Sequence, residues 1–286
     1  MTILWSGLAL GAVYVLVAIG YNIVFVSSNT FNFAQAQLMM VGTFVAYTGL
    51  VTLKLPRSRG GRHGYRDRDA PRLGRGDRRD QTGGRSPEPV GHDVGCRNSA
   101  QRRHSIDLGG SEPLTVPFFG SNEPITLLGG RTYPVEIALL VAAIALVVGL
   151  SYVSKKTMTG LALIGISEDR EAAMLRGVNV RRLALGAFAF SGALAGVLGL
   201  FVGPKTFAVA TLGAALALKG FVALAIGGFG SLPGALIGGL TVGLVESFTA
   251  LWAGSQYSNI AVFTVLIVIL MVKPAGLFGN VRERVV

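Results

Sequence analysis

Lys219 and Glu246 are ionisable side chains inside long apolar stretches. They are the only ionisable residues within the four apolar segments that follow residue 182, namely 183–202, 206–229, 232–252 and 258–272. A charge placed in hydrocarbon is costly, so residues of this kind indicate a substrate or ion pathway. A long charged side chain near a helix end can instead extend to the membrane surface. Both interpretations fit these two residues.

Two polar or glycine-rich segments interrupt apolar sequence and are candidates to line a cavity. Residues 29–37 lead into an apolar run, and residues 219–234 contain several glycines and a proline. In transporters such breaks often line the substrate route, because freed backbone groups need a polar surrounding. Simple helix N-capping explains an Asn-rich start equally well. The candidate pathway residues are Asn29, Asn32, Gln35, Gln37, Lys219, Gly228, Gly230 and Glu246.

Residues 160–182 are the largest polar feature between apolar stretches. Ser167, Glu168 and Asp169 are suited to cap a short helix that carries Glu171 to Arg176, and Gly177 is suited to end it. A short, Ala-rich helix flanked by charge is what docking into a groove of a partner protein requires. A merely solvated basic loop is the alternative, and the pattern alone does not separate the two.

The apolar part of the chain has no enzyme signature. Gly203-Pro204-Lys205-Thr206 lacks the Gly-Lys adjacency and the upstream glycine of a phosphate-binding loop. The apolar part contains no His or Cys, and a single Cys in the whole chain excludes a disulfide framework and a zinc set. We therefore expect no catalytic residue, no metal and no cofactor, and we expect any energy supply to lie on a separate ATPase.

The elements that position these residues are predicted to be membrane helices. The chain has 286 residues, of which 51% are hydrophobic and 14% charged, well below the quarter charged that is usual in soluble domains. About 20 apolar residues cross the hydrocarbon as a helix. The sequence predicts an all-α, polytopic bundle with interrupted helices, whose spans lie at 3–26, 33–53, 135–153, 183–202, 206–229, 232–252 and 258–272.

Lysine and arginine set the orientation of these spans. Residues 154–182 and the C-terminal tail are rich in basic side chains and are predicted to face the cytoplasm. Residues 109–134, with two Glu and several Pro, are predicted to form an external loop. The predicted divisions of the chain are membrane helices over 1–56, an anomalous segment over 57–108, the external loop, and membrane helices over 135–286.

Several short stretches resemble the branched-chain amino acid (LIV-type) permeases of ABC importers. Glu171-Ala172-Ala173 with Gly177 resembles the coupling loop of that family, and the other stretches are Asn32–Gln35 with Leu38–Gly42, Gly228–Ala235 and Lys273–Gly279. The chain departs from the pattern at Ala36 and Gln37, where we expect a glycine and an acidic residue. The resemblance covers roughly residues 1–56 and 109–286.

The resemblance implies a subunit of an importer in the bacterial cytoplasmic (inner) membrane. It implies as partners a second permease subunit, two ATP-binding subunits and an external solute-binding protein, with a small amino acid as substrate. It also implies that Glu168, Glu171, Ala172, Ala173 and Gly177 form the ATPase-coupling loop. The alternative is a stand-alone secondary transporter or channel for a small polar solute, which needs no ATPase.

Residues 57–108 differ in composition from the rest of the chain. They hold 13 of the 26 basic residues, all of them Arg, and 7 of the 15 acidic ones. A disordered loop, an Arg-rich patch for anionic lipid or nucleic acid, and a frameshifted stretch are the three interpretations. We favour the frameshift, because GC-rich codons for Ala, Leu and Val give Arg-rich and Gly-rich sequence when read out of frame. We expect no nucleic acid partner. Translation of the DNA in the other two frames should then give apolar, span-like sequence.

Overall fold

The computed structural model describes residues 1–52, 113–117, 123–127 and 129–279. These residues belong to one compact unit, formed by Met1–Arg57 and Ser111–Val286, and the chain has a second unit at Ser58–Gly110. The anomalous segment 57–108 of the sequence analysis lies outside the described residues. The frameshift interpretation therefore stays a prediction.

The described part of the chain is almost entirely helical. A π-helical turn, Thr48–Thr52, continues the second helix, and a 3-10 turn, Ser255–Tyr257, precedes the last one. A two-stranded antiparallel hairpin, β1 (Ile125–Leu127) and β2 (Gly130–Thr132), precedes the third helix. The helices are α1 (Thr2–Ser28), α2 (Ala34–Tyr47), α3 (Pro134–Lys156), α4 (Met158–Glu168), α5 (Arg170–Leu175), α6 (Val180–Thr206), α7 (Leu212–Gly227), α8 (Leu232–Trp252) and α9 (Ser258–Val272).

Helix α1 forms the centre of the bundle. It is apolar on all sides and its middle section, from Gly11 to Asn22, is buried throughout. Small residues allow the neighbouring helices to approach closely, which is the usual basis of helix association in lipid. A Cβ atom built on Gly11 would lie only 2.8 Å from the Cα atom of Leu240 on α8, so a side chain at this position would force the two helices apart.

Six stretches of the described residues are helices long and apolar enough to cross a membrane. They confirm six of the seven predicted spans. The seventh, 206–229, was predicted too long, since α7 has only 16 residues. Phe207, at φ 60, ends α6, and the next residue leaves the helical path: the backbone of Ala208 exchanges two hydrogen bonds with Leu114 at 3.1 and 2.9 Å.

Helix α6 is longer than the predicted 183–202 and includes Pro204 and Lys205. Lys219 and Glu246 are therefore not the only ionisable residues in the helices after residue 182. A proline was a reasonable signal for a helix end, since it removes one backbone donor. Here the helix continues for two residues beyond Pro204, and Lys205 acquires a partner on another helix, described below.

Contacts with the predicted external loop define one end of the bundle. The Arg131 N–H donates to Thr2 Oγ1 over 3.1 Å, which places the start of α1 beside the hairpin. Val116 is buried, and a Cβ atom on Gly203 near the end of α6 would meet it at 3.0 Å. Val116 also forms an apolar cluster with Ala46 near the end of α2. Residues 46 and 116, on either side of the anomalous segment, thus lie at the same, external end.

Candidate functional site

Lys219 and Glu246 form an ion pair between α7 and α8. Lys219 Nζ donates to Glu246 Oε1 over 2.5 Å, and the hydroxyl of Tyr14, on α1, donates to Glu246 Oε2 over 2.6 Å. The ammonium also lies 5.6 Å from the centre of the Tyr14 ring, a cation–π distance. Tyr14 is near the midpoint of α1 and Lys219 near the midpoint of α7. The two charges are thus paired inside the bundle.

A second ion pair, between Glu136 and Lys205, was not predicted from the sequence. The Glu136 carboxylate at the start of α3 accepts from Lys205 Nζ, from Thr132 Oγ1 at 3.0 Å and from the Tyr133 N–H at 3.3 Å. Lys205 also donates to Ser6 Oγ on α1 over 3.3 Å. A Glu three residues after a helix cap is a known sequence signal for this kind of backbone bond, but its pairing with Lys205 is not local.

Gln35, one of the predicted pathway residues, is instead a buried link between three helices. Its Nε2 donates to the Ser191 carbonyl of α6 over 3.1 Å, and its Oε1 lies 2.6 Å from Ser191 Oγ. Ser191 Oγ is also 3.0 Å from the Gly20 carbonyl of α1. Gln35 and Ser191 have no solvent exposure. This arrangement satisfies buried polar groups and joins α1, α2 and α6.

The other polar residues of the first segment lie at the helix ends. Asn29 ends α1 in the left-handed conformation, with φ 56. Asn32 Oδ1 accepts from the Ala34 N–H over 3.1 Å in an Asx turn just before α2, whose N-cap residue is Phe33, so the N-capping alternative is not confirmed. Gln37 is exposed and contacts Gly213 at the start of α7. Asn29 and Asn32 therefore have local structural roles, and a pathway role of Gln37 stays a prediction.

Gly228 and Gly230 form the break between α7 and α8. Both have positive φ, 101 and 83, which favours glycine. Asn22, a buried amide on α1 that the sequence analysis did not single out, accepts from the Gly230 N–H over 2.9 Å. The last carbonyls of α7 are satisfied from the C-terminal segment, because Leu277 donates to Ile226 and Phe278 to Gly227.

An aromatic cluster brings the two predicted pathway segments together at the cytoplasmic end. Phe31, in the first segment, stacks on Phe25 with centroids 5.0 Å apart and meets Phe221 and Phe229 of the second at 5.4 and 5.3 Å. Phe33 adds a further contact with Phe221 at 5.9 Å. The segments 29–37 and 219–234 therefore meet in one aromatic cluster. This cluster lies between the Lys219–Glu246 pair and the side of the membrane predicted to be cytoplasmic.

The predicted coupling loop, residues 160–182, is mainly helical, with α4, α5 and the start of α6 following one another. Each of the three starts with a capping side chain, Thr157, Asp169 and Asn179, that accepts a backbone N–H. Asp169 Oδ1 accepts from Glu171 and Ala172 over 2.9 and 3.0 Å. The predicted short helix is thus present, and Asp169 is the residue that caps it.

Gly177 ends α5 as the sequence predicted. It has φ 83, its N–H donates to the Met174 carbonyl over 2.9 Å, and the Val178 N–H donates to the Ala173 carbonyl over 3.1 Å. This pair of bonds is the Schellman motif, which satisfies the last carbonyls of a helix. The helix is thereby fixed at both ends in spite of its six residues.

Helix α5 has one buried face and one exposed face. Ala173 is buried against Ile166 and Val180. Glu168 and Glu171 are exposed, and Ala172 is half-buried. Leu175 is 89% exposed. Together with Met174, which is 50% exposed, Leu175 places two adjacent apolar side chains on the surface predicted to face water.

No group of three or more His, Cys, Asp or Glu side chains in the described ranges is placed to hold a metal ion. The described site consists of three features: the ion pair between α7 and α8, the break between these two helices with its aromatic cluster, and the capped helix α5 at the end predicted to be cytoplasmic. These features, with the apolar bundle, define a multi-pass membrane transport protein.

The chain belongs to the family described as the permease component of the branched-chain amino acid transport system, whose family model matches residues 98–272. Curated relatives cover nearly the whole chain. The permease protein BraD of the high-affinity branched-chain amino acid transport system of Pseudomonas aeruginosa is 26% identical over 96% of this chain and 94% of its own length. The corresponding protein LivH of Salmonella typhimurium is 27% identical over 97% and 94%.

A more distant relative differs in its named solute. The ribose import permease protein RbsC of Haemophilus influenzae is 28% identical over 56% of this chain and 52% of its own length. No solved structure matches the chain significantly. The family and the apolar helices establish a multi-pass protein of the bacterial inner membrane.

Proposed function

We propose that the chain forms the translocation pathway of an ATP-driven importer for branched-chain or related amino acids. The proposal is supported by the family and by two relatives that are named for branched-chain amino acid transport. The chain aligns with nearly the full length of both. Its partners would be a second permease subunit, two ATP-binding subunits and an external solute-binding protein. No covalent chemistry takes place on this chain, since its residues shape a path and couple it to the ATPases.

Helix α5 is the proposed point of attachment for an ATP-binding subunit. The observation that carries this step is the exposure of Leu175 on a helix that Asp169 and Gly177 fix at its two ends. A rigid helix transmits a movement of its partner without first becoming ordered. Ala173 packs against Ile166 of α4 and Val180 of α6, so a displacement of α5 would pass to both.

The test is co-purification of the ATP-binding subunits with the tagged chain, expressed with its partners. Glu171→Arg and Leu175→Asp change exposed residues of α5 and should each release the ATPase and abolish leucine uptake. Glu123→Arg makes the same charge change at an exposed position on the external side and should retain both. Retention of the ATPase by both α5 variants would contradict this placement of the attachment point. Leucine uptake with no ATPase in the complex would favour the stand-alone transporter.

A further inference from the structure

The Lys219–Glu246 pair has hydrogen-bonding capacity that the described residues do not use. An ammonium has three N–H donors. Among the residues described, Glu246 alone accepts a hydrogen bond from Lys219 Nζ, and the other contact of the ammonium is the face of the Tyr14 ring. The Glu246 carboxylate accepts only from Lys219 and from the Tyr14 hydroxyl within the same part of the chain. Both charges can therefore take further polar partners.

Both members of the pair are also partly exposed. The side chains of Lys219 and Glu246 are 20% and 16% exposed, although both lie inside the bundle. Glu136 of the other ion pair is 5% exposed and has donors from three residues. Lys205 is as open as Lys219, at 22%, but it stands one residue before the external end of α6. Among the described residues, Lys219 and Glu246 thus form the ion pair whose two members are both partly exposed, with Lys219 near the midpoint of α7 and Glu246 six residues before the end of α8.

We propose that Lys219 and Glu246 receive the zwitterionic head of an amino acid: the substrate carboxylate takes the place of Glu246 on Lys219, and the substrate ammonium takes the place of Lys219 on Glu246. This inference rests on the proposed function and adds the residues that contact the substrate. Tyr14 is a positioning residue, since its hydroxyl holds Glu246 Oε2 while Oε1 changes partner.

Charge balance restricts the class of substrate. The ion pair is neutral as a whole and so is an amino acid with an uncharged side chain, so the exchange leaves no unpaired charge inside the membrane. A substrate with a net charge would leave one, at a high cost in free energy. An amide, urea or a sugar has no charges with which to replace those of the pair. The site therefore favours zwitterions over the uncharged solutes that related permeases carry.

The exchange would also loosen one connection between α7 and α8. The two helices are joined by the ion pair and, below it, by the break at Gly228–Ser231. A substrate that separates Lys219 from Glu246 removes the direct bond and replaces it with a bridge through the ligand. Substrate would in this way alter the packing of the two helices that flank the break.

The test is leucine uptake by the complete importer, reconstituted with its ATP-binding subunits and its solute-binding protein. The double variant Lys219→Met/Glu246→Gln removes both charges and keeps similar shapes. We expect it to assemble with the ATPase and to lower the maximal uptake rate per complex at least about tenfold, as loss of charged hydrogen bonds to a substrate does. The leucine concentration for half-maximal uptake, which the binding protein sets, should not change.

The control is Glu136→Gln/Lys205→Met, which neutralises the other ion pair and should retain uptake within about twofold of wild type. Wild-type uptake by Lys219→Met/Glu246→Gln would overturn the site and leave the proposed function intact. An absence of leucine uptake by the wild-type importer would instead overturn the proposed function. If the double variant does not assemble, Glu246→Gln alone decides. It removes the charge and one of the two acceptor oxygens and keeps the other for Tyr14. Uptake at the wild-type rate would again overturn the site.

Discussion

The two ion pairs of this bundle join charges of the same kind in different surroundings. Glu136 at the external end is buried and accepts hydrogen bonds from Lys205, Thr132 and the Tyr133 backbone. Glu246, in the interior, accepts from Lys219 and Tyr14, and both members of its ion pair are partly exposed. The first arrangement is nearly complete within the chain, while the second has fewer donors from the described residues and is more exposed.

The difference gives a criterion by which we propose to tell a structural charge from a functional one in this protein. A buried charge whose partners are all supplied by the chain contributes to the fold, and loss of one partner leaves the others unsatisfied. A charge with spare donors or acceptors and an open side has a cost that folding alone does not explain. Gln35 has no solvent exposure, and both of its polar side-chain atoms are hydrogen-bonded to Ser191, so its bonds are complete within the chain.

The largest effect on stability is expected at Glu136. Glu136→Ala leaves the Thr132 hydroxyl and the Tyr133 N–H without their acceptor and the Lys205 ammonium with Ser6 alone, so the free energy of unfolding should fall by about 3–5 kcal/mol. The measurement is denaturant or thermal unfolding of the purified chain in detergent. Glu246→Ala serves as the comparison and should lose less, because two donors rather than three lose their acceptor. Equal losses in the two variants would remove the distinction between the pairs.

A smaller effect is expected at Gln35. Gln35→Leu keeps the volume and removes the bonds to Ser191, so unfolding should become easier by about 1–3 kcal/mol, while leucine uptake per folded complex should be unchanged. Gln37→Leu, two residues further along and exposed, is the matched control, with an expected change within about 0.5 kcal/mol. A specific loss of uptake in Gln35→Leu, with normal stability, would return Gln35 to the pathway.

The smallest effect is expected at Asp169. Asp169→Ala removes the acceptor for the Glu171 and Ala172 N–H groups, and the loss of such a cap is typically about 1 kcal/mol. Because α5 is a short and largely exposed helix, the change should be local. Hydrogen exchange of these two amides should accelerate about fivefold while the thermal midpoint of the bundle stays constant. Glu168→Ala, beside the cap, should leave the exchange rates as they are.

The described fold restricts how many spans the restored reading frame of residues 57–108 can encode. Residues 46 and 116 lie at the same end of the bundle, where Ala46 and Val116 belong to one apolar cluster. A frame-restored sequence must therefore cross the membrane an even number of times. We expect the correct frame to contain two apolar stretches of about 20 residues each. A single stretch would be inconsistent with the described fold.

The sequence by itself determined six of the membrane helices and the capped helix α5, and it predicts their orientation. These features depend on apolar length, on the placement of Lys and Arg, and on capping residues only a few positions apart, as for Asp169 and Gly177. The same signals were imprecise where tertiary contacts acted on a helix end. Residues 207–211 read as part of a span, yet Ala208 pairs with Leu114, and α6 continues through Pro204 to Thr206.

Only the tertiary structure decided which polar residues meet. Glu246 is 27 residues from Lys219, Glu136 is 69 residues from Lys205, and Gln35 is 156 residues from Ser191. At such separations no local pattern specifies a partner, because the pairing depends on which helix faces pack together. The sequence marked Gln35 and Lys219 alike as polar residues of a pathway. The packing of α1 against α2, α6, α7 and α8 buries Gln35 completely and leaves Lys219 and Glu246 partly exposed.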